Sequence, residues 1–386
     1  MNLPGDNTAM KPLFLAKDEL ASLIDVLITQ GYTVVGPTIS QGAIVYDEIH
    51  RLEQLPRGWT DEQHPGKYRL NKGDDNAYFG YVVGPHSWKK YLFPPQTKIG
   101  SATRVELGWK LETSRPAPKK LALLGTRACE LAALAVQDRV FLGGPYIDPY
   151  YQAQRQNLLL IAVNCTQAAS TCFCTSMNTG PRCTTGYDLA LTELSDGFIV
   201  EAGTPSGESI VGKLVISEAT PKQLQQGDEA RAQAEKQITR HMDTEGVRDL
   251  LLNNPNHPRW QEVAQRCLSC ANCTMVCPTC FCSTVSEVSD LQGDHVDRVR
   301  HWDSCFNVEF SYTNGGTVRK TIHDRYRQWM THKLASWHDQ FGSSGCVGCG
   351  RCITWCPVGI DITEEVAAIR QSIPLPMVST KGGPSP

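Results

Sequence analysis

Two stretches of the 386-residue sequence share one cysteine spacing: CLSCANCTMVCP at residues 267–278 and CVGCGRCITWCP at residues 346–357. In each stretch the first three cysteines are three residues apart, and a fourth cysteine follows after a longer step, directly before a proline. Three cysteines at this spacing in a tight loop can bind three irons of one cubane. The two stretches therefore predict two [4Fe–4S] clusters.

The fourth cysteine of each stretch begins a segment that leads away from its own loop, so we expect it to bind the cluster of the other stretch. The predicted ligands of the first cluster are Cys267, Cys270, Cys273 and Cys356. The predicted ligands of the second cluster are Cys346, Cys349, Cys352 and Cys277. A pair of structural zinc sites is the alternative, but zinc sites usually show paired C-x-x-C halves rather than runs of four that end in Cys-Pro.

Apart from its cysteines, the composition is that of an ordinary folded protein. The chain is 41% apolar and 20% charged with a formal net charge of −3, which is typical of soluble domains and gives no sign of a nucleic-acid-binding face. We find no apolar stretch of the roughly 20 residues that a membrane span needs, and no secretory signal at the N-terminus. The 16 clustered cysteines therefore favour metal binding in a cytoplasmic protein over disulfides.

The first part of the chain, residues 1–240, is predicted to form an α/β or α+β domain. An amphipathic helix is expected at residues 17–30, ended by Gly31. Buried strands at residues 121–125 and 157–165 flank a helix at residues 129–142, which is a βαβ-like unit. Further strands are predicted at residues 32–39, 43–49, 78–84, 188–194 and 197–203.

The second part, residues 241–386, is predicted to be a helical domain that carries both cysteine motifs. Helices lead into each motif, and the separating residues 278–345 are expected to be largely helical. A compact bacterial ferredoxin joins its motifs by a short β-containing link. The long helical separation instead resembles the alpha-helical ferredoxin domain of succinate dehydrogenase iron–sulfur subunits.

Eight cysteines lie outside the two motifs. Five of them are near a strand end or a helix start in the N-terminal domain and are candidate ligands of a third iron–sulfur cluster: Cys129, Cys165, Cys172, Cys174 and Cys183. Cys129 begins a helix, where the helix dipole favours a thiolate. The alternative is that all five are buried and inert. The other three, Cys280, Cys282 and Cys305, are expected to pack beside the clusters, with binding of a further group as the alternative.

The sequence lacks the motifs of a catalytic site. We find no G-x-G-x-x-G after a strand, no P-loop and no C-x-x-C pairs of the nickel–iron type. No catalytic residue and no residue that binds an organic cofactor is therefore predicted. This pattern indicates a non-catalytic subunit of an oxidoreductase complex, with partners that supply flavin and the catalytic metal.

Several segments outside the spacing argument carry a family resemblance: GTRACELAALAVQDRVF (125–141), DPYYQAQRQNLLLIAVNC (148–165), TCFCTSMNTGP (171–181), CPTCFC (277–282) and HWDSCF (301–306). In order and content they resemble the iron–sulfur beta subunit of cytoplasmic bidirectional [NiFe] hydrogenases, also called sulfhydrogenases. The pattern is also similar to the related iron–sulfur subunit of anaerobic sulfite reductase. Residues 1–110 contain no motif that matches either family.

The resemblance implies a function in electron transfer. Such a subunit would relay electrons to or from a flavin subunit that exchanges hydride with NAD(P), in a cytoplasmic complex with the hydrogenase small and large subunits. The iron–sulfur subunit of an anaerobic sulfite reductase complex is the alternative within the resemblance. A further alternative is a sulfur or thiol reductase that uses Cys172 and Cys174, since cysteine chemistry needs an accessible thiolate of low pKa.

Overall fold

The computed structural model describes residues 11–73, 75–114 and 118–372, so residues 373–386 of the predicted second domain lie outside the described part of the chain. The described strands are β1 (Leu13–Ala16), β2 (Thr33–Ser40), β3 (Ala43–Glu48), β4 (Trp59–His64), β5 (Lys67–Lys72), β6 (Gln96–Val105), β7 (Gly108–Thr113), β8 (Leu121–Thr126), β9 (Leu158–Val163), β10 (Leu189–Glu193), β11 (Gly197–Ala202), β12 (Ser217–Glu218), β13 (Ser283–Ser289) and β14 (His295–Trp302).

The described α-helices are α1 (Leu20–Thr29), α2 (Lys89–Leu92), α3 (Ala128–Leu142), α4 (Pro149–Gln156), α5 (Pro205–Val211), α6 (Pro221–Gln237), α7 (Val247–Leu252), α8 (Arg259–Arg266), α9 (Asn272–Met275), α10 (Ile322–Thr331), α11 (Trp337–Phe341), α12 (Arg351–Thr354) and α13 (Ile362–Gln371). Short 3-10 turns lie at Lys17–Glu19, Leu52–Gln54 and Cys174–Met177, and a π-turn lies at His332–Ser336. Within the part of the chain that the structure describes, no helix is long and apolar enough to cross a membrane.

An eight-stranded sheet in the order β12-β1-β11-β10-β9-β8-β2-β3 forms the N-terminal part of the molecule. β8 and β9 pair in parallel, as do β9 with β10 and β2 with β8. Every residue of β8 is buried, which is why its sequence is a continuous apolar run rather than an alternating one. The predicted βαβ-like unit is confirmed, with α3 as the crossover helix.

A second sheet, in the order β13-β14-β6-β7, joins the two predicted domains because β14 pairs with β6. The prediction that residues 278–345 are largely helical was therefore wrong for the hairpin of β13 and β14. The physical reason is visible in STVSEVS (283–289), where β-branched residues, which favour strands, make up three of the seven positions. A tight turn closed by the Gly293 N–H on the Asp290 carbonyl follows.

The strand predicted at residues 78–84 is a loop in the structure, although the segment is largely buried. Side chains take the place of a neighbouring strand. The Glu193 carboxylate accepts the N–H groups of Tyr78 and Phe79 at 2.7 and 2.8 Å. Arg127 donates to two carbonyls of the same segment. Because these partners satisfy its backbone, the segment needs no ladder hydrogen bonds.

The C-terminal helices enclose the two cysteine motifs. α7, α8, α10 and α13 share one core whose buried members include Trp260, Tyr326, Trp329 and Met330. Cys267, Cys273, Cys346, Cys352 and Cys356 pack against the same core. The fold is thus mixed α/β with a large sheet, and the cysteine motifs sit within its helical C-terminal part.

Candidate metal centres

The loops of the two cysteine motifs have the same backbone path. Ser269 and Ala271 in the first loop have φ values of 52° and 66°, and the equivalent Gly348 and Gly350 have 65° and 75°. A short helix, α9 or α12, follows directly in each case. Left-handed residues turn the chain sharply, so each loop wraps its first three cysteines around one space.

The first site is a cavity between the two cysteine motifs. The structure gathers around it four cysteines from both motifs: Cys267, Cys270, Cys273 and Cys356. Phe306, Tyr326 and Trp329 form its apolar wall, and Cys352 also touches it. These four cysteines are the set predicted from the crosswise exchange of the last cysteine.

The second site is a cavity that has the converse set of cysteines. They are Cys277, Cys346, Cys349 and Cys352. Lys333, Thr279 and Arg351 also line this cavity. Cys352 borders the first site as well, so the first and second sites are neighbours.

The third site is a cavity in the N-terminal part. It is lined by four of the five remaining candidates: Cys129, Cys165, Cys172 and Cys174. Cys349 of the second site also lines it, so the three cavities form a row. Cys183 does not line this cavity. Its N–H donates to the Asn164 side chain at 2.7 Å, and it packs in a separate apolar core.

The third site is held against the second by close backbone contact. A Cβ atom on Gly348 would lie 2.6 Å from the Phe173 carbonyl oxygen, and one on Gly350 would lie 2.5 Å from that of Thr171. The Phe173 N–H donates to the Gly348 carbonyl at 2.9 Å. Only glycine fits at both positions, because the TCFC loop (171–174) rests directly on the second motif.

Two buried arginines line these cavities and keep unused donors. Arg127, at the third site, gives its terminal N–H groups to backbone carbonyls, but its Nε has no hydrogen-bond partner among the described residues. Arg351 forms an ion pair with Glu130, and its Nη1 is likewise without a partner there. Buried donors of this kind fit an anionic group in the adjacent cavity.

Burial alone disfavours thiolates at most of these cysteines. It raises the pKa of Cys172 and of Cys346 to about 12, and it raises the pKa of Cys129 well above its ordinary value. Burial thus outweighs the helix dipole that the sequence suggested for Cys129. Since a metal deprotonates the thiols that bind it, the buried donor sets suit metal-bound thiolates. Cys172 and Cys174 are too buried, at 7% and 6% exposure, for an accessible nucleophilic thiol.

Cys277 is different from the other motif cysteines. The Cys280 thiol donates to its sulfur and the Lys333 ammonium lies beside it, and together they lower the pKa of Cys277 well below its ordinary value despite burial. Cys280 is itself buried, as is Cys305, which contacts Cys282. These three cysteines line none of the three cavities described above; Cys280 lies against Cys277 of the second site, and Cys305 packs in the helical core.

Sequence reasoning missed the charged side chains at the second site. Lys333 lies in the π-turn between α10 and α11, and its Nζ donates to the Cys277 sulfur at 3.3 Å. Lys89 is the first residue of α2, and its Nζ donates to the Cys280 carbonyl at 3.1 Å. A lysine in a helical segment usually reaches solvent, so the sequence offered no signal for either contact.

Among the described residues, no group of three or more His, Cys, Asp or Glu side chains could hold a single metal ion.

The sequence is similar to those of known iron–sulfur proteins. Residues 266–360 match the model of the 4Fe–4S dicluster domain. The chain is 28% identical over 330 residues to sulfhydrogenase 2 subunit beta of Pyrococcus furiosus, a match that covers 84% of this chain and 96% of the relative. No solved structure matches the chain. The resemblance to sulfhydrogenase beta subunits that the sequence motifs suggested is confirmed.

Proposed function

We propose that this homologue of a sulfhydrogenase beta subunit is a non-catalytic electron-transfer subunit of an NAD(P)-linked [NiFe] hydrogenase complex. The observation that carries the proposal is the row of three cysteine-lined cavities, in which Cys352 borders both the first and second sites and Cys349 both the second and third. Iron–sulfur clusters bound there would supply one-electron oxidation and reduction.

The two motif clusters are held crosswise in this proposal. Cys267, Cys270, Cys273 and Cys356 bind the cluster of the first site, and Cys277, Cys346, Cys349 and Cys352 bind that of the second. The lining of the two cavities supports this assignment. Two of these sulfurs also accept backbone N–H groups: the Ser269 N–H reaches Cys267 at 3.4 Å and the Ile360 N–H reaches Cys356 at 3.3 Å. Such donors stabilise charge on ligand sulfurs.

A third cluster is held by Cys129, Cys165, Cys172 and Cys174. Three features support it: four cysteines on one cavity, the unpartnered Nε of Arg127, and burial that leaves the thiols little access to water. The Arg127 side chain would stabilise the negative charge of such a cluster while its terminal N–H groups anchor the loop at residues 78–84. Cys183 is not a ligand in this proposal.

The first site is the end of the row at which a redox partner docks. Cys270 is exposed, and beside it the apolar side chains of Leu268 and Val358 are 61% and 38% exposed. Exposed apolar groups around a redox centre are typical of a protein–protein contact. The proposed partners are a subunit that binds flavin and NAD(P) and the hydrogenase small and large subunits, in the cytoplasm.

Anaerobic purification of the chain with its native partners tests this function. We expect nickel in the complex and hydrogen-dependent reduction of NAD(P). The Cys273→Ser variant should abolish this reduction, because it removes a ligand of the exposed first site, whereas the Cys183→Ser variant should retain it. A complex that contains siroheme and no nickel would contradict the proposal and would identify a sulfite reductase complex instead.

A further inference from the structure

Two buried lysines approach the second site without a carboxylate partner. Lys333 is 3% exposed and Lys89 is 4% exposed. Among the described residues, neither forms an ion pair with Asp or Glu; the oxygen atoms that they contact belong to a hydroxyl and to backbone carbonyls. An isolated buried ammonium group is costly. Both lysines therefore need negative charge close by, and the sulfurs of the second site are the nearest source.

The contacts of Lys333 fix its charge at the cavity wall. Its Nζ donates to the Cys277 sulfur at 3.3 Å, to the Thr279 hydroxyl at 3.2 Å and to the Gly345 carbonyl at 3.3 Å. The Gly345 N–H in turn donates to the Lys333 carbonyl at 2.8 Å. The π-turn at His332–Ser336 provides this free carbonyl, and π-turns are frequent at functional sites. Gly345, which directly precedes the second motif, thus binds both the side chain and the backbone carbonyl of Lys333.

Lys89 reaches the same place from the N-terminal part of the molecule. Its Nζ lies 3.9 Å from the centroid of the Trp302 ring and 3.1 Å from the Cys280 carbonyl oxygen. The ring stabilises the buried cation. Lys90, the next residue in α2, instead lies over the Tyr91 ring and is only partly buried. Only Lys89 of the two faces the cysteines.

Among the described residues, no lysine or arginine donates a hydrogen bond to a cysteine sulfur of the first site. Burial raises the pKa of Cys267 and the nearby Arg325 opposes this rise, but Arg325 gives its N–H groups to the carbonyls of Arg319 and Lys320 and to the Ser269 hydroxyl. The Cys267 and Cys356 sulfurs accept backbone N–H groups instead. The two motifs therefore have the same cysteine spacing but differ in the charge around their sulfurs.

We propose that Lys333 and Lys89 are positioning residues that raise the reduction potential of the cluster at the second site above that of the first. An electron added at the second site adds one negative charge within reach of two fixed ammonium groups, which stabilise it by Coulomb attraction in a poorly screened interior. This inference rests on the proposed function, because it needs a cluster at the second site.

Replacement of each lysine by methionine tests the inference, since methionine is of similar length and uncharged. In an anaerobic EPR redox titration of the full chain, Lys333→Met should lower the ratio of reduced to oxidised second-site cluster at a fixed potential by at least about tenfold. Lys89→Met should give a smaller shift in the same direction, and Lys333→Arg should restore most of the potential. The shifted signal should be the one that Cys346→Ser removes.

Lys90→Met is the matched control, and it should leave every potential unchanged. Retention of iron and sulfide with unchanged potentials in both Lys333→Met and Lys89→Met would overturn the inference. If Lys333→Met loses the second cluster, Lys89→Met decides: a lowered potential supports the inference and an unchanged one overturns it. Wild-type protein without iron would instead contradict the proposed function itself.

Discussion

The first and second sites are built from the same cysteine spacing and the same left-handed loop, yet their surroundings differ. The first site opens to the surface at Cys270 and is walled by aromatic side chains. The second site lies between the two parts of the chain, against the TCFC loop (171–174) and beside Lys333. The cysteine spacing therefore specifies what is bound, whereas the surrounding fold sets exposure and charge.

The largest expected effect breaks the crosswise exchange that joins the two sites. Cys356→Ser should remove the cluster of the first site, although Cys356 belongs to the second motif, and iron should fall by about four per chain. Cys277→Ser should do the converse at the second site. Iron analysis with EPR spectra, compared with those of Cys267→Ser and Cys346→Ser, assigns each loss.

Cys183→Ser is the control for this pair, because Cys183 lines none of the three sites described above and should keep all iron. If Cys356→Ser instead removed the signal that Cys346→Ser removes, each motif would hold its own cluster. The crosswise assignment would then be wrong.

A smaller effect is expected from substitutions at one equivalent position of the two loops, Gly350 in the second and Ala271 in the first. Gly350→Ala places a Cβ about 2.5 Å from the Thr171 carbonyl oxygen at a left-handed φ, and it should lower the free energy of unfolding by about 2–4 kcal/mol. The equivalent residue of the first loop is already Ala271, and Ala271→Gly should change stability by less than about 1 kcal/mol. Anaerobic thermal unfolding measures both.

The contrast between these two variants is the informative result. Equal destabilisation by Gly350→Ala and Ala271→Gly would show that the second loop has no closer contact than the first. The TCFC loop (171–174) would then not be in close contact with the second motif.

The sites should also differ in how fast they lose metal. Because Cys270 is exposed while Cys277 is buried, a chelator added to the oxidised protein should remove the cluster of the first site before that of the second. The EPR signal lost in Cys267→Ser should disappear first. Loss of the second-site signal first would contradict the order of exposure.

The smallest effect concerns one hydroxyl at the first site. The Ser269 hydroxyl donates to the Phe306 carbonyl at 3.1 Å and accepts from Arg325 at 3.3 Å, whereas Gly348 offers no such group in the second loop. Ser269→Ala should lower the free energy of unfolding by about 1 kcal/mol and leave iron content unchanged. Loss of iron would show that this hydroxyl is needed to assemble the site rather than to stabilise it.

Local sequence patterns predicted the elements whose partners are also local. The continuous apolar runs of β8 and β9, with a segment rich in alanine and leucine between them, were sufficient for the βαβ-like unit. The loop at residues 78–84 has the composition of a strand, but Glu193 and Arg127 satisfy its backbone from far along the chain. Such distant side-chain partners leave no mark in the segment itself.

The sites show the same limit. Spacing predicted two sets of four cysteines, because the motif geometry is local, and each set lines one cavity, with Cys352 also at the first. It could not separate Cys183 from the four cysteines of the third cavity, since that depends on the packing of a loop. Nor could it predict that Lys333 points inward, because a π-turn rather than the helical period directs this side chain.

The iron and acid-labile sulfide content of the wild-type chain, isolated under anaerobic conditions, tests the central claim most directly. Three cysteine-lined sites predict about twelve irons and about twelve sulfides per chain, counting four per cubane. About eight of each would contradict a cluster at Cys129, Cys165, Cys172 and Cys174. Zinc without sulfide would contradict the whole account of this chain as an electron-transfer subunit.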